Sequence, residues 1–289
     1  MKKSIALFIT IMFLFVVVGI LGTILYYTQK MTKNENFYIA ENSILIKNAL
    51  DTLNTISKDI NTSDKLKMIF TTFPISSDNG DFRAIYTITP VYNKIDLNAY
   101  LQNKKINPYI DTFLDNIFDY YQIQDSELIK DLILDTIDKD DIEREAYSEI
   151  ILQNPNFQNG QIYNFNQFET IQKRYYQITQ DKNIFKIPWK KLVFFGNGKS
   201  HIIDCNLLDK LTAKFLGLQF DTEPTCKNIL TEENKEIINN FGIIEFKNKN
   251  SFLINISVDY FYNGLHSEIN ILYDIHKKKA ISVESHPVY

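Results

Sequence analysis

Arginine is nearly absent from this chain of 289 residues: Arg83, Arg144 and Arg174 are the only three, and every other basic residue except histidine is lysine. Bidentate readout of phosphate or guanine prefers the planar guanidinium. Together with a net charge of −4, this argues against a dedicated nucleic-acid reader. Cysteine is scarcer still. Two residues, Cys205 and Cys226, rule out zinc modules built on four thiolates. The sequence has no His-Glu-x-x-His, no Gly-x-Ser-x-Gly, and no repeats or low-complexity linkers, and no set of residues in it supports catalysis. Apolar residues are plentiful: 45% of the chain is hydrophobic and 23% charged, the balance of a folded protein with room for one or two domains.

The longest apolar run comes first. Lys2 and Lys3 precede an uncharged stretch over 4–29. A bilayer core needs about 20 apolar residues, whereas a cleaved secretory signal has an apolar run of roughly 7–15 and then a small-x-small site. The length predicts a retained membrane helix, with Tyr26 and Tyr27 in an interfacial belt. Lys2, Lys3 and the amino terminus outweigh Lys30 and Lys33, which Glu35 dilutes. The positive-inside bias therefore places the N-terminus in the cytoplasm and everything after Lys30 outside it. No second run of this length follows, so a single-pass protein is expected. With only Met1, Lys2 and Lys3 ahead of the helix, no cytoplasmic output module is expected. The pair Cys205 and Cys226 fits an oxidising compartment and a disulfide, the alternative being two unpaired buried thiols.

Further along, Ile46, Leu50, Leu53, Ile56 and Ile60 recur at helical steps, so 35–60 continues the helix outward. Phe82, Ala84, Tyr86 and Ile88 alternate along a strand, with the Asn79-Gly80 turn before it. From about Asn98 to Gly217 the period is mainly helical. Asn107-Pro108 reads as a cap and first helical position, Asp125 as the next cap, and 141–152 and 166–179 as two more helices. A short strand is expected over 191–195, a helix capped by Asn206 over 207–216, and another over 231–241. The period then returns to two over 251–262, 265–275 and 280–285, with Asn263-Gly264 as a turn. Strand-like segments on both sides of a helical block suggest an insertion into an α+β domain.

Two motifs invite ligands. Gly198-Lys199-Ser200 resembles the tail of a phosphate loop, but Val193 stands at the first glycine position and strand-like residues follow, so a turn is the better reading. Asp135, Asp138, Asp140, Asp141, Glu143, Glu145 and Glu149 form an acidic run. An EF-hand loop starting at Asp138 would need oxygen and glycine where Ile142 and Glu143 stand. An irregular calcium site on Asp138, Asp140 and Asp141 stays open beside a solvated helix face. His201 with the two cysteines lacks a fourth zinc ligand. No other cofactor is expected.

The order of these segments resembles the minor pseudopilin K family of bacterial type II secretion systems. Lys3-Ser4-Ile5-Ala6-Leu7 is similar to the family's start, where a small residue precedes the cut and the apolar helix. Ile95-Asp96-Leu97-Asn98 resembles its strand-end signature. The 132–141 stretch resembles its acidic segment with Thr136 in place of Trp, and 192–217 its strand-to-helix passage with Asp204-Cys205-Asn206 in place of Asn-Thr-Ala. The resemblance implies an α+β fold: an N-terminal transmembrane helix extended into a pilin-like α/antiparallel-β domain with a large, mainly helical insertion. It implies an anchor over 1–30, a pilin-like helix and first strands over 31–98, the insertion over 99–218, and closing strands over 219–289. It implies processing between Ser4 and Ile5, with Ser4 in place of the usual Gly. A non-enzymatic role is implied in the inner membrane, with a periplasmic domain and other minor pseudopilins as partners through the N-terminal helix. After that cut the fifth residue is Ile9, where ordinary pseudopilins carry Glu; a carboxylate in lipid is tolerable mainly when paired. A subunit without it need not pair with one beyond it, which implies a place at the fibre tip. Alternatives are the same architecture in a DNA-uptake system, or a membrane-anchored periplasmic ligand-binding domain.

Overall fold

The structure is a computed structural model. It describes residues 47, 72–76, 82–198, 202–245, 253–262, 265–275 and 277–288. The membrane run, Ser4, Ile5, the 35–60 helix apart from Lys47, and the two Asn-Gly turns lie outside the described residues. Among the described residues no helix is long and apolar enough to cross a membrane.

Five strands form one antiparallel sheet: β1 (Thr72–Ser76), β2 (Phe82–Pro90), β3 (Leu253–Tyr262), β4 (Leu265–Asp274) and β5 (Lys279–Val288). They lie side by side in chain order. The alternation has the expected result. Ile88, Ile256 and Ile271 are opposed across β2, β3 and β4 and buried, as are Tyr86, Val258 and Ile269 in the next row. Thr87, Ser257 and Asn270 carry the opposite face, because successive side chains on a strand point to opposite sides. Leu265 faces Tyr262 across β3 and β4, the register that a two-residue connection sets.

The meander is opened once, between β2 and β3. Pro90 is paired with Ile254, so the chain leaves and re-enters the sheet at one place, and residues 91–252 run out and back between. Their main helices are α1 (Pro108–Tyr121), α2 (Ser126–Ile137) and α3 (Phe165–Thr179). Shorter turns follow: α4 (Trp189–Leu192), α5 (Lys210–Phe215), α6 (Cys226–Ile229) and α7 (Lys235–Phe241). The caps explain the starts. Asn107 accepts from the N–H groups of Tyr109 and Ile110 ahead of Pro108, and Asp125 accepts from Leu128.

The block has its own core. Leu97, Phe113, Leu114 and Ile117 pack with Leu132, Ile133, Phe168, Ile171 and Trp189, and the same cluster takes in Phe215, Ile229 and Ile243. The edges of the Phe118 and Phe168 rings meet Trp189 at 6.1 and 5.0 Å. Lys130 is buried between α1 and α2, 2.6 Å from Asp115, 3.1 Å from Glu127 and 3.4 Å from Asp111. Burial lowers its pKa, but those hydrogen bonds and charges outweigh it, and the net shift is upward.

The block's core takes in Ile95 and Leu97 before 99 and Ile229 and Ile243 after 218. The closing segments are too short to show a period: Ile203–Asp204 and Ile243–Ile244 are two-residue parallel partners. Two expectations are corrected. Residues 141–149 are not helical. Their backbone N–H groups are taken by side chains instead, Ile142 by Asp140, Arg144 by Asp135, Glu145 by Ser148 and Tyr147 by Glu143, and such local acceptors compete with helix formation. Finally, Asp209 rather than Asn206 caps the 210–215 helix, accepting from Leu211 and Thr212.

Cys205 and Cys226 are joined by a disulfide, their Cα atoms 5.0 Å apart and 21 residues apart in sequence. Cys205 follows the 203–204 strand and Cys226 opens α6, so the bond ties two short pieces that local hydrogen bonding holds weakly. Closing a loop of this length stabilises by about 3 kcal/mol in the chain-entropy account. Replacing both cysteines by serine should lower unfolding stability by about 2–4 kcal/mol, measured by denaturant titration, with no further loss on adding reductant.

Candidate functional site

The segment 95–98 and the loop 196–198 meet at a clasp. Ile95–Asp96 pairs in parallel with Val193–Phe194, which brings Asp96 beneath Gly196 and Gly198. The Asp96 carboxylate accepts from the N–H of Gly196 at 2.9 Å, of Gly198 at 3.0 Å and of Asn98 at 3.1 Å. Asn98 continues the clasp: its amide donates to the carbonyls of Ile162 and Gly196, both at 2.8 Å, and its oxygen accepts from Ile162 N–H at 2.8 Å. Both donors of that amide and one lone pair of its oxygen serve backbone.

The glycines are required here. A Cβ at Gly196 would collide with the Asp96 carboxylate and the Phe194 ring, and one at Gly198 would lie 2.8 Å from the Asn98 carbonyl oxygen, with φ at +68° besides. The Gly-Asn-Gly loop therefore does cradle an anion through its backbone, as a phosphate loop would. The anion is the chain's own Asp96. Lys199, Ser200 and His201 lie outside the described residues. Burial pushes the Asp96 carboxyl up to about 6, against the pull of the three N–H donors.

A second polar cluster closes the C-terminal end of α2. Arg144 pairs with Asp135, and its other amino group lies 2.5 Å from Asp138. Ser148 donates to Asp135. Asp135, Ser148 and Glu149 are fully buried. Glu149 accepts from Asn159 at 2.7 Å through one oxygen. Its other oxygen, one oxygen of Asp138 and the Asn159 side-chain oxygen are buried without a hydrogen-bond partner. Burial, with the charges of Asp135 and Asp138 behind it, pushes Glu149 up to about 7 despite the Asn159 hydrogen bond.

Of the three calcium candidates, only Asp138 belongs to this cluster; Asp140 and Asp141 are exposed. Their carboxylates do not converge on one point, and Arg144 supplies the neutralising charge. Glu149 and Asn159 hold the free oxygens instead, a pairing hidden because the intervening residues are irregular rather than helical. The donor atoms that remain are hard oxygens, which suit calcium better than a transition metal. Asp204 lies beside the two cysteines with ligand atoms within 4.8 Å, but the disulfide leaves no thiolate to ligate.

No family model matches the sequence, and no curated protein matches it. In structure the chain is similar to a chain of the GspK-GspI-GspJ complex from the type 2 secretion system of enterotoxigenic Escherichia coli, with a TM-score of 0.57 at 14% identity over 90% of this chain and 98% of that one. The likeness to pseudopilins read from the order of segments therefore has a counterpart in the fold, where almost no sequence is shared.

The clasp yields a pH prediction. A carboxyl held at about 6 in the folded state, against about 3.9 when unfolded, binds its proton more tightly folded. Its contribution to stability is complete below the unfolded value and is lost as pH rises from about 4 to about 6, by about 3 kcal/mol at most. Denaturant titrations of the wild type and Asp96→Asn across that range should show the wild type losing ground as pH rises. Gly198→Ala should lower stability by about 1–3 kcal/mol at any pH.

Proposed function

We propose that the chain is a minor pseudopilin of a type II secretion system. Its N-terminal run anchors it once in the inner membrane, the domain after residue 30 lies in the periplasm, and the subunit caps the tip of a short pseudopilus. The observation that carries this reading is the architecture: an antiparallel meander opened between two adjacent strands by a helical block with its own core, in a fold shared with a chain of the GspK-GspI-GspJ complex. A block of that size beside the sheet would obstruct regular stacking along a helical fibre unless the subunit stands at an end, where a heterologous contact need not continue. The missing acid at position 9 agrees with a subunit that accepts nothing beyond it.

Deletion of the gene should abolish export of secreted proteins and leave DNA uptake intact. The mature protein, analysed by mass spectrometry of its N-terminal peptide, should begin at Ile5. Loss of transformation with secretion unaffected, or a mature chain that keeps Met1, would reject the assignment.

The cluster around Glu149 would hold calcium as a structural ion, with Glu149, Asp138 and the Asn159 oxygen as ligands. At about a hundredfold excess over Kd the ion should raise the thermal midpoint by about 5 °C. Glu149→Gln should remove that rise, and so should lowering the pH well below the titration of Glu149. A midpoint that does not respond to calcium would refute the site.

A further inference from the structure

The polar face of the sheet does not lie flat against the helical block. A cavity of about 340 Å³ separates them. Asn255, Asn270 and Leu272 line it from the strands, and Lys94, Lys190 and Phe195 from the block. That volume is at the lower end of ligand pockets and has room for about ten water-sized atoms. Val91 and Phe194 pack with Leu272 and give the cavity an apolar wall.

The charge in this cavity is unbalanced. Lys190 lies 3.7 Å from Glu268, which also lines it. Lys191 is a third cation on the rim and is exposed. Lys94 is the exceptional one. It is only 8% exposed, its backbone N–H is tied to the Val91 carbonyl at 3.0 Å, and its ammonium makes no hydrogen bond or ion pair among the described residues. Buried lysines are ordinarily paired, as Lys130 is in this same molecule, because an unpaired buried charge is costly. Burial pushes Lys94 down to about 8, partly opposed by the charge of Asp209. Three lysines and one carboxylate, Glu268, line the cavity, and Asp209, which acts on Lys94, is not among the lining residues; the lining is short of negative charge.

We propose that this cavity is a binding site for a monocarboxylate with an apolar body, the carboxylate paired with Lys94 and the body laid against Val91, Phe194 and Leu272. The same chemistry is offered by a free small acid and by the carboxyl terminus of a polypeptide ending in an apolar residue. The site is independent of any role in a fibre.

Calorimetric titration of the full chain in detergent at about pH 7 tests the proposal with two pairs of probes: 3-phenylpropionate and its amide, and a tetrapeptide ending in phenylalanine as free acid and as C-terminal amide. At least one acid should bind saturably, about tenfold or more tightly than its amide. Binding of the phenylpropionate identifies a small-molecule site, and binding of the peptide acid alone identifies a chain-end site. Lys94→Met should weaken the binding about tenfold, Lys94→Arg should retain it, and affinity should fall as pH rises from about 7 to about 9 while Lys94 loses its proton. Saturable binding by neither acid, equal binding of acid and amide, or undiminished binding by Lys94→Met would each overturn the proposal. If Lys94→Met does not fold, the acid-to-amide ratio and the pH dependence of the wild type decide it alone, and a ratio near one or a flat pH profile overturns it.

Discussion

The sheet pairs β2 with β3 although 91–252 lie between them in the chain, and this requirement governs the rest. A helical block placed there must start and finish at a single point, so its two stems have to be held together as well as its core filled. Asp96 fastens the outgoing stem to the 193–198 segment inside the block. It sits on a two-residue parallel bridge, where regular hydrogen bonding is too short to be secure, and its carboxylate gathers the N–H of Asn98 and, about one hundred positions on, those of Gly196 and Gly198. Charge-assisted bonds of this kind are roughly twice as strong as neutral ones. The amide of Asn98 extends the closure to Ile162. At the other end, the parallel pair 203–204 with 243–244 and the 205–226 disulfide fasten pieces too short to stand alone.

The buried charges among the described residues mostly follow one rule. Asp96 is solvated by backbone, Asp135 and Asp138 by the guanidinium of Arg144, and Lys130 by three carboxylates. In each case the partner is fixed by the fold, which is what offsets the desolvation of a buried ion. Arg144 is one of only three arginines in the chain, and its planar fork reaches two carboxylates where lysine offers a point charge. Lys94 breaks the rule beside an open cavity, and Glu149 breaks it in part, with one oxygen bonded and one without a partner. Asp204, fully buried, likewise has one carboxylate oxygen without a hydrogen-bond partner.

A glycine-rich loop that supplies its N–H groups to an internal carboxylate is closed to an outside phosphate. The acidic run is likewise spent on organising an irregular segment after α2. The sequence features that most invite a catalytic or nucleotide-binding reading are therefore parts of the frame.

The sequence by itself determined what depends on near neighbours in the chain. The caps at Asn107 and Asp125, the helical stripes of α1 and α2, and the alternation of β2, β3 and β4 are set by spacing of two, three or four residues and are read directly from it. The order of strands, block and strands followed, and with it the class of fold. Tertiary structure decided what depends on contacts far along the chain: that 141–149 is irregular because Asp135 and neighbouring side chains take its backbone donors, that the block's core reaches Ile243, that Gly196 and Gly198 serve Asp96, and that Lys94 is buried with no ion pair among the described residues. Periodicity carries no information about which carboxylate meets which N–H a hundred residues away, because that meeting exists only once the 95–98 and 193–198 segments are brought side by side.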